Sequence, residues 1–418
     1  MYASALINRQ AQQPVAIAGG GIAGLASALS LARYGIPSVV FEQASRFSEL
    51  GAGLQLGPNA LWVLQQLGLL DEALAAACQA QALHVRDIGS GKTYQRLTIG
   101  PAFSARYGLP YLTLHRAYLH KILLRAARQN PLIELRCQSK VLGFTQGPSS
   151  DSIELEISEA GGGHTAAALL ICDGVWSGLR QQLLPQAAPA HYSGHTAYRA
   201  LVPASAWPQV KQLDLNHELG LWWGRRAHIL HYPVQSGELL NIVALIERPA
   251  PPSESMGWST PIAHEVVSEV LLAATGKDCT PDLQAVLGSA QNWFTWPMYA
   301  RPPARGWSQG LATLVGDAAH PMLPYMAQGA AMALEDAWVL AGCLGDSGDW
   351  NAVAARRSAF LRYEALRFKR SSRVVATAAR NGRIFHMHGL GAAARNAYLS
   401  ARGEQPLRMD WLYGWQGE

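Results

Sequence analysis

What most limits the folds open to this chain lies near its start. A hydrophobic stretch, Pro14 to Ala18, runs into Gly19-x-Gly21-x-x-Gly24, and an apolar helical pattern over Ile22 to Tyr34 follows at once. Pro37 to Phe41 then reads as a second strand, ending at Glu42, 18 residues beyond Gly24. In such a strand-turn-helix unit the first two glycines allow a tight turn and let a pyrophosphate approach the helix N-terminus, and the third lets helix and strand pack closely. An acid about 20 residues further on is placed for ribose hydroxyls. The expectation is dinucleotide binding, with NAD and FAD not yet separated. The four glycines also argue against reading Pro14 to Ala32, which carries no charge, as a signal peptide or membrane span, so a cytoplasmic location is expected.

At 418 residues the chain exceeds the ~250 to 300 at which single cores stop growing, so two domains are expected. A hydrophobic share of 49% with 15% charged residues excludes disorder. The net charge is +5, yet only 6 of the 34 basic residues are lysines. Arg356, Arg357, Arg362, Arg367, Lys369, Arg370 and Arg373 cluster at helical spacing among Ala, Leu and Phe and read as the wet face of a long helix, so no nucleic-acid partner is expected. Cys78, Cys137, Cys172, Cys279 and Cys343 show no metal spacing, which predicts reduced thiols and no metal.

Pro58 opens an amphipathic helix with Leu61, Leu64 and Leu67, and Arg116 to Arg128 forms another. Gly161-Gly162-Gly163 reads as the turn of a hairpin between Ile153–Ser158 and Thr165–Cys172. From Ser193 to Ile246 alternation recurs without helical interludes, as in an antiparallel sheet that covers a site with one face. Leu311 to Val315 is a buried strand, and Gln328 to Leu344 and Asp349 to Ile384 are helical. The aromatic tail, with Trp411-Leu412-Tyr413-Gly414-Trp415, is expected to pack back on the body.

Two later motifs separate the dinucleotides. In Cys172-Asp173-Gly174-Val175-Trp176-Ser177-Gly178-Leu179-Arg180 a strand ends in Asp-Gly and Ser177 can cap a short helix. In Gly316-Asp317-Ala318-Ala319-His320-Pro321 an acid again follows a hydrophobic strand. After Pro324-Tyr325-Met326-Ala327 comes Gln328-Gly329-Ala330, a helix N-terminus able to stabilise negative charge on a reduced flavin. These three motifs, in this order and at these separations, resemble the FAD-dependent single-component aromatic hydroxylases of the para-hydroxybenzoate hydroxylase class, and the match runs over nearly the whole chain. The resemblance implies that Gly19, Gly21 and Gly24 line the ADP pyrophosphate and Glu42 the adenosine ribose. It puts Arg116 at the FAD phosphate or ribityl region, Asp173 between FAD and pyridine nucleotide, and Asp317 at the ribityl chain.

Within the class the similarity is nearest to 3-hydroxybenzoate 6-hydroxylase, with salicylate and 6-hydroxynicotinate hydroxylases further off. It rests on Gly51-Ala52-Gly53-Leu54-Gln55-Leu56-Gly57-Pro58-Asn59, Ser193-Gly194-His195-Thr196-Ala197-Tyr198-Arg199, His228 to Pro233, Trp296-Pro297-Met298-Tyr299 and the C-terminal Trp-Leu-Tyr-Gly. By the strand period of two, His228, Leu230 and Tyr232 share a face and His231 takes the other. His228 and Tyr232 stand ~13 Å apart along the strand at ~3.3 Å per residue, able to touch opposite ends of a small ring. The resemblance implies that this His is the phenol base and this Tyr a substrate contact. Gln55 stands where hydroxynicotinate enzymes carry His, and Pro324 where some 3-hydroxybenzoate 6-hydroxylases carry Gln, so both are taken as substrate positions. His320 reads as structural or cofactor-side, and Trp222, Trp223 and Trp293 as packing between domains.

The expected fold is α/β: a Rossmann-like FAD-binding domain with an inserted, mostly antiparallel β-sheet substrate domain and a long C-terminal helical region. FAD-binding parts are expected at 1–80, 116–192 and 303–345, substrate-domain parts at 81–115 and 193–302, and C-terminal helices and tail at 346–418. Gly389-x-Gly391-x-x-Ala394 lacks a preceding strand and reads as a helix start, so one resident FAD with transient NADH or NADPH is expected. The implied reaction is monooxygenation of a small aromatic acid by O2 through a C4a-hydroperoxyflavin. 3-Hydroxybenzoate giving gentisate is the leading substrate; salicylate giving catechol and 6-hydroxynicotinate are the alternatives. A dehydrogenase without oxygen insertion and a flavin-loaded sensor are the rival classes. The tail and the resemblance are compatible with a homodimer.

Overall fold

The computed structural model describes residues 13–47, 52–147, 150–158, 163–210, 212–250 and 260–417. Val15–Ala18 lies parallel between Ser38–Phe41 and Ala168–Ile171, with Ile133–Arg136 beyond the first and Ala312–Leu314 beyond the second. Ser308–Gln309 closes one edge antiparallel. Every residue of the three central strands is buried, as a parallel sheet covered on both faces requires. The helix Ile22–Ala32 is apolar nearly all round because it is enclosed, packing against Arg116–Gln129 and Gly329–Gly345.

Gly24 is where this helix meets its strand, and a Cβ there would collide with the Gly19 carbonyl oxygen. Gly24→Ala is therefore expected to lower stability by about 3 kcal/mol, the upper range for over-packing. A thermal midpoint equal to that of the unsubstituted protein would show that the helix can move aside.

The second large sheet runs in the order Thr260–Ile262, Trp293–Ala300, His191–Pro203, Leu239–Glu247, Ala227–Val234, Glu218–Gly224, Ala82–Asp87, Thr93–Thr98 and Glu404–Pro406. Its pairs are antiparallel except Glu218–Gly224 with Ala82–Asp87 and Glu404–Pro406 with Thr93–Thr98. One face carries Tyr198, Trp222, Ile229, Ile242 and Trp293 under the helices His264–Thr275 and Pro281–Gly288. Trp222 and Trp293 thus belong to this sheet's own core, not to a junction between domains as expected. Alternation sends Trp223 to the opposite face, where it stacks on Phe385 with ring centroids 4.9 Å apart.

The expected strand Thr165–Cys172 is divided. Gly163–Ala166 pairs with Ile153–Ile157 in a small half-exposed sheet, whereas the fully apolar Ala168–Ile171 enters the parallel sheet beside Val15–Ala18. Gly161 and Gly162 of the expected turn, and Gly51 of the Gly-Ala-Gly motif, lie outside the described residues. Gly53–Leu56 pairs with Leu112–His115, which also pairs with Cys78–Gln79.

The long helix Val353–Phe385 corrects the expectation of a wet arginine face. Arg362, Lys369 and Arg373 are exposed, but Arg356 and Arg367 are buried. Arg367 Nη1 donates to Glu335 Oε2 and its Nε to Asp336 Oδ1, each at 2.7 Å, and Arg370 Nε donates to Glu335 Oε2 at 2.6 Å. Both acids lie on Gly329–Gly345 and are fully buried, so buried charge is paired as it must be. Spacing alone does not reveal the burial because the partners lie over 30 residues away in sequence. The tail packs back as expected: Tyr413 meets Phe103, Tyr107 and Tyr111, and Trp415 meets Trp62.

Candidate functional site

The end of the parallel sheet opens into a cavity of about 960 Å³, at the upper end of the ~300 to 1,000 Å³ usual for ligand sites. Gly19, Gly20, Gly21, Glu42, Arg116 and Asp173 line it on one side. Gly19 holds φ +109°, and a Cβ on it would meet the Cys172 carbonyl oxygen, so only glycine serves in this turn. Glu42 Oε2 accepts from Gly20 N–H at 2.9 Å, fixing the acid beneath the turn. Ser177 caps its helix as expected, accepting from Arg180 N–H at 2.8 Å. On the other side the sheet contributes Arg199, Asn241 and Trp296. The Arg199 guanidinium lies 4.4 Å from the Trp296 ring centroid, and burial pulls its pKa down to about 10.

The remaining expected site residues lie off this cavity's lining. His228 and Tyr232 are each 3% exposed, and burial pushes the Tyr232 hydroxyl up to about 12. Tyr232 and the cavity-lining Asn241 both lie against Gly53. Gln55 is buried and accepts from Tyr111 O–H at 2.7 Å. Asp317 is exposed on a single helical turn, Gly316–Ala318, and Gly329 begins its helix close by. Gln328, fully buried, accepts from Asn59 Nδ2 at 3.0 Å, and its own Nε2 has no partner among the described residues. Ala330 follows in the first turn, and Pro324 O accepts from Ala327 N–H. His320 binds Asp336 Oδ2 at 2.5 Å in full burial. His231 turns to the opposite sheet face, beside Trp222.

Residues 12–378 match a family described as FAD binding domain. This chain belongs to that family. A 3-hydroxybenzoate 6-hydroxylase of Polaromonas naphthalenivorans (strain CJ2) is 35% identical over 97% of this chain and 96% of its own length. A 3-amino-4-hydroxybenzoate 2-monooxygenase of Streptomyces platensis is also 35% identical, over 96% of each chain. The solved structure of a salicylate hydroxylase substrate complex has a TM-score of 0.79 at 25% identity, covering 97% of this chain and 96% of that one. The protein is a flavoprotein monooxygenase with FAD as its cofactor. Among the described residues no helix is long and apolar enough to cross a membrane.

The cavity of this FAD binding family member fits its cofactor. The glycine turn presents backbone where a side chain would block a phosphate, Arg116 and Arg199 supply positive charge, and Asp173 Oδ1 is buried with no hydrogen-bond partner among the described residues. Burial is also the main reason why Asp173 is raised from 3.8 to about 6, against hydrogen bonds from Ser177 and Leu179. An acid whose folded pKa lies above its unfolded one holds more protons when folded, so the Asp173 contribution to stability is most favourable below about 4 and is lost as pH rises through about 6. Cofactor-free protein should lose roughly 3 kcal/mol across that window relative to Asp173→Asn, at about 1.4 kcal/mol per unit; parallel stability-against-pH curves for the two would refute the assignment.

Asn241 and Arg199 are site residues that no motif marks, although Arg199 ends the segment Ser193 to Arg199. The same holds for His386 and Glu247. His228 Nδ1 lies 2.8 Å from His386 Nε2, and His386 Nδ1 lies 3.2 Å from Glu247 Oε1. No local pattern signals this, since His386 follows a helix 158 residues after His228.

Proposed function

We propose that this enzyme hydroxylates a small hydroxylated aromatic acid using NAD(P)H and O2, and that the substrate is 3-hydroxybenzoate, converted to gentisate. The observation carrying this reading is His228: a buried imidazole, hydrogen-bonded through Nδ1 to a second histidine, on a sheet face directed away from that sheet's own core. The 35% identity to the Polaromonas enzyme supports the choice of substrate.

The redox chemistry, reduction by NAD(P)H and activation of O2, is supplied by FAD when bound. The residues that would hold it are Gly19, Gly21 and Gly24 at the pyrophosphate, Glu42 at the ribose, Arg116 at the phosphate or ribityl region, Asp317 at the ribityl chain, and Asp173 at the position shared by FAD and pyridine nucleotide. Gln328, Gly329 and Ala330 form a helix N-terminus that would favour negative charge on a bound flavin. His228 accepts the phenol proton and makes the ring electron-rich, a general-base role. Tyr232, Gln55 and Pro324 bound the ring. The apolar enclosure keeps water from the reacting centre. A homodimer in the cytoplasm belongs to the same proposal, as does the division into FAD-binding and substrate domains at the boundaries given above.

The test is NADH and NADPH consumption by FAD-loaded enzyme with 3-hydroxybenzoate, salicylate or 3-amino-4-hydroxybenzoate under isotopically labelled O2, with products identified by mass. Labelled gentisate from 3-hydroxybenzoate is expected. Catechol and CO2 from salicylate would support the second reading, which the salicylate hydroxylase likeness favours. Oxidation without label incorporation would move the enzyme to the dehydrogenases.

A further inference from the structure

We propose that His386 and Glu247 are positioning residues that set the tautomer of His228 and accept its proton onward. This rests on the reading of His228 as phenol base. Glu247 Oε1 faces His386 Nδ1 at 3.2 Å, and Arg226 Nε donates to its other oxygen at 3.1 Å. An ionised carboxylate only accepts, so Nδ1 of His386 carries its proton. In neutral His386 the Nε2 is then the acceptor, and it lies 2.8 Å from His228 Nδ1. His228 Nδ1 must therefore donate, which leaves the His228 lone pair on Nε2. The acid thus determines, two residues away, which nitrogen of His228 can take a phenol proton.

The surroundings favour neutral rings over an ionised acid. Burial is the main cause holding both His228 and His386 below the usual imidazole range, whereas hydrogen bonds from His195 and His386 keep Glu247 well below the carboxylate range. The other groups facing the pair are His195 on His191–Pro203, Tyr325, and Arg395 on the helix Gly389–Arg402. A cation on fully enclosed His228 is costly. The transfer balances: the phenol O–H breaks as an N–H forms at His228 Nε2, the Nδ1 proton of His228 passes to His386 Nε2, and the Nδ1 proton of His386 passes to Glu247. Glu247 is 31% exposed and releases the proton to water.

The experiment mixes FAD-loaded enzyme with 3-hydroxybenzoate in weak buffer containing a pH dye, following proton release alongside the flavin absorbance change that reports binding. Unsubstituted enzyme should release a proton as it binds. Glu247→Gln can turn its amide N–H toward His386 and reverse the polarity of both hydrogen bonds, so release should slow on the order of 100-fold with binding retained. Glu247→Asp should recover most of the rate, a rescue that a packing role does not predict. His386→Phe should behave like Glu247→Gln. Normal release in both Glu247→Gln and His386→Phe, with release lost only in His228→Ala, would overturn this proposal and leave His228 as base. Normal release in His228→Ala, or unsubstituted enzyme that neither perturbs its flavin nor releases a proton, would overturn the reading beneath it. His195, Glu247 and His386 also bring three ligand atoms within 4.8 Å of one another; release abolished by EDTA and restored by Zn2+ would make the cluster a metal site and overturn the relay.

Discussion

His228→Ala should depress hydroxylation by roughly 100- to 10,000-fold, the range of a lost general base, while the enzyme stays yellow and continues to oxidise NAD(P)H with release of H2O2. The separation of the two activities follows from placement. His228 lies on the strand Ala227–Val234, packed among Tyr325, Phe385 and His386, and is not among the residues lining the 960 Å³ cavity. Its removal leaves the glycine turn, Glu42 and Asp173 untouched, so cofactor retention should not change. The measurement is product formed per NAD(P)H consumed, beside the flavin content of the purified variant. Coupled turnover at the unsubstituted rate would exclude His228 as base; loss of flavin would mean that the side chain serves the fold instead.

Arg367→Met should destabilise the protein by about 3 to 5 kcal/mol, because it strips one partner from a buried charge network and leaves the acids behind. Glu335 would retain Arg370 and Asn59, but Asp336 would be left with His320 and Gly316 N–H. The damage should extend to the cofactor, since Asp336 holds the backbone of Gly316, next to Asp317, at 3.0 Å. Urea midpoints and flavin release rates check this, with Arg362→Met on the exposed side of the same helix as the control expected to stay within about 0.5 kcal/mol. Equal midpoints for the two variants would show that the buried network contributes no more than a surface arginine.

The legible and illegible parts of this molecule divide along physical lines. The first strand, its glycine turn and the following helix were readable because a turn at φ +109° and a helix pressed against a strand admit only glycine, and those demands act over a few residues. Alternation likewise put His228 and Tyr232 on one face of their strand and His231 on the other. By contrast, Arg362 and Arg367 look alike in sequence, one wet and one buried, because the deciding acids arrive on another helix. The surroundings of Trp222 are hidden for a similar reason: periodicity gives a face but not what covers it, and here His264–Thr275 and Pro281–Gly288 do.

The cofactor-binding turn, the order of strands and helices around it, and the family are legible from local sequence, since these depend on backbone conformations and hydrophobic periods that neighbouring residues impose on one another. Which nitrogen of His228 is left with its lone pair, and which arginines are buried, are settled by contacts between distant segments. Those depend on Glu247, His386, Glu335 and Asp336 being brought to within hydrogen-bonding distance from remote parts of the chain, and a charge or a tautomer is set by what lies across the gap.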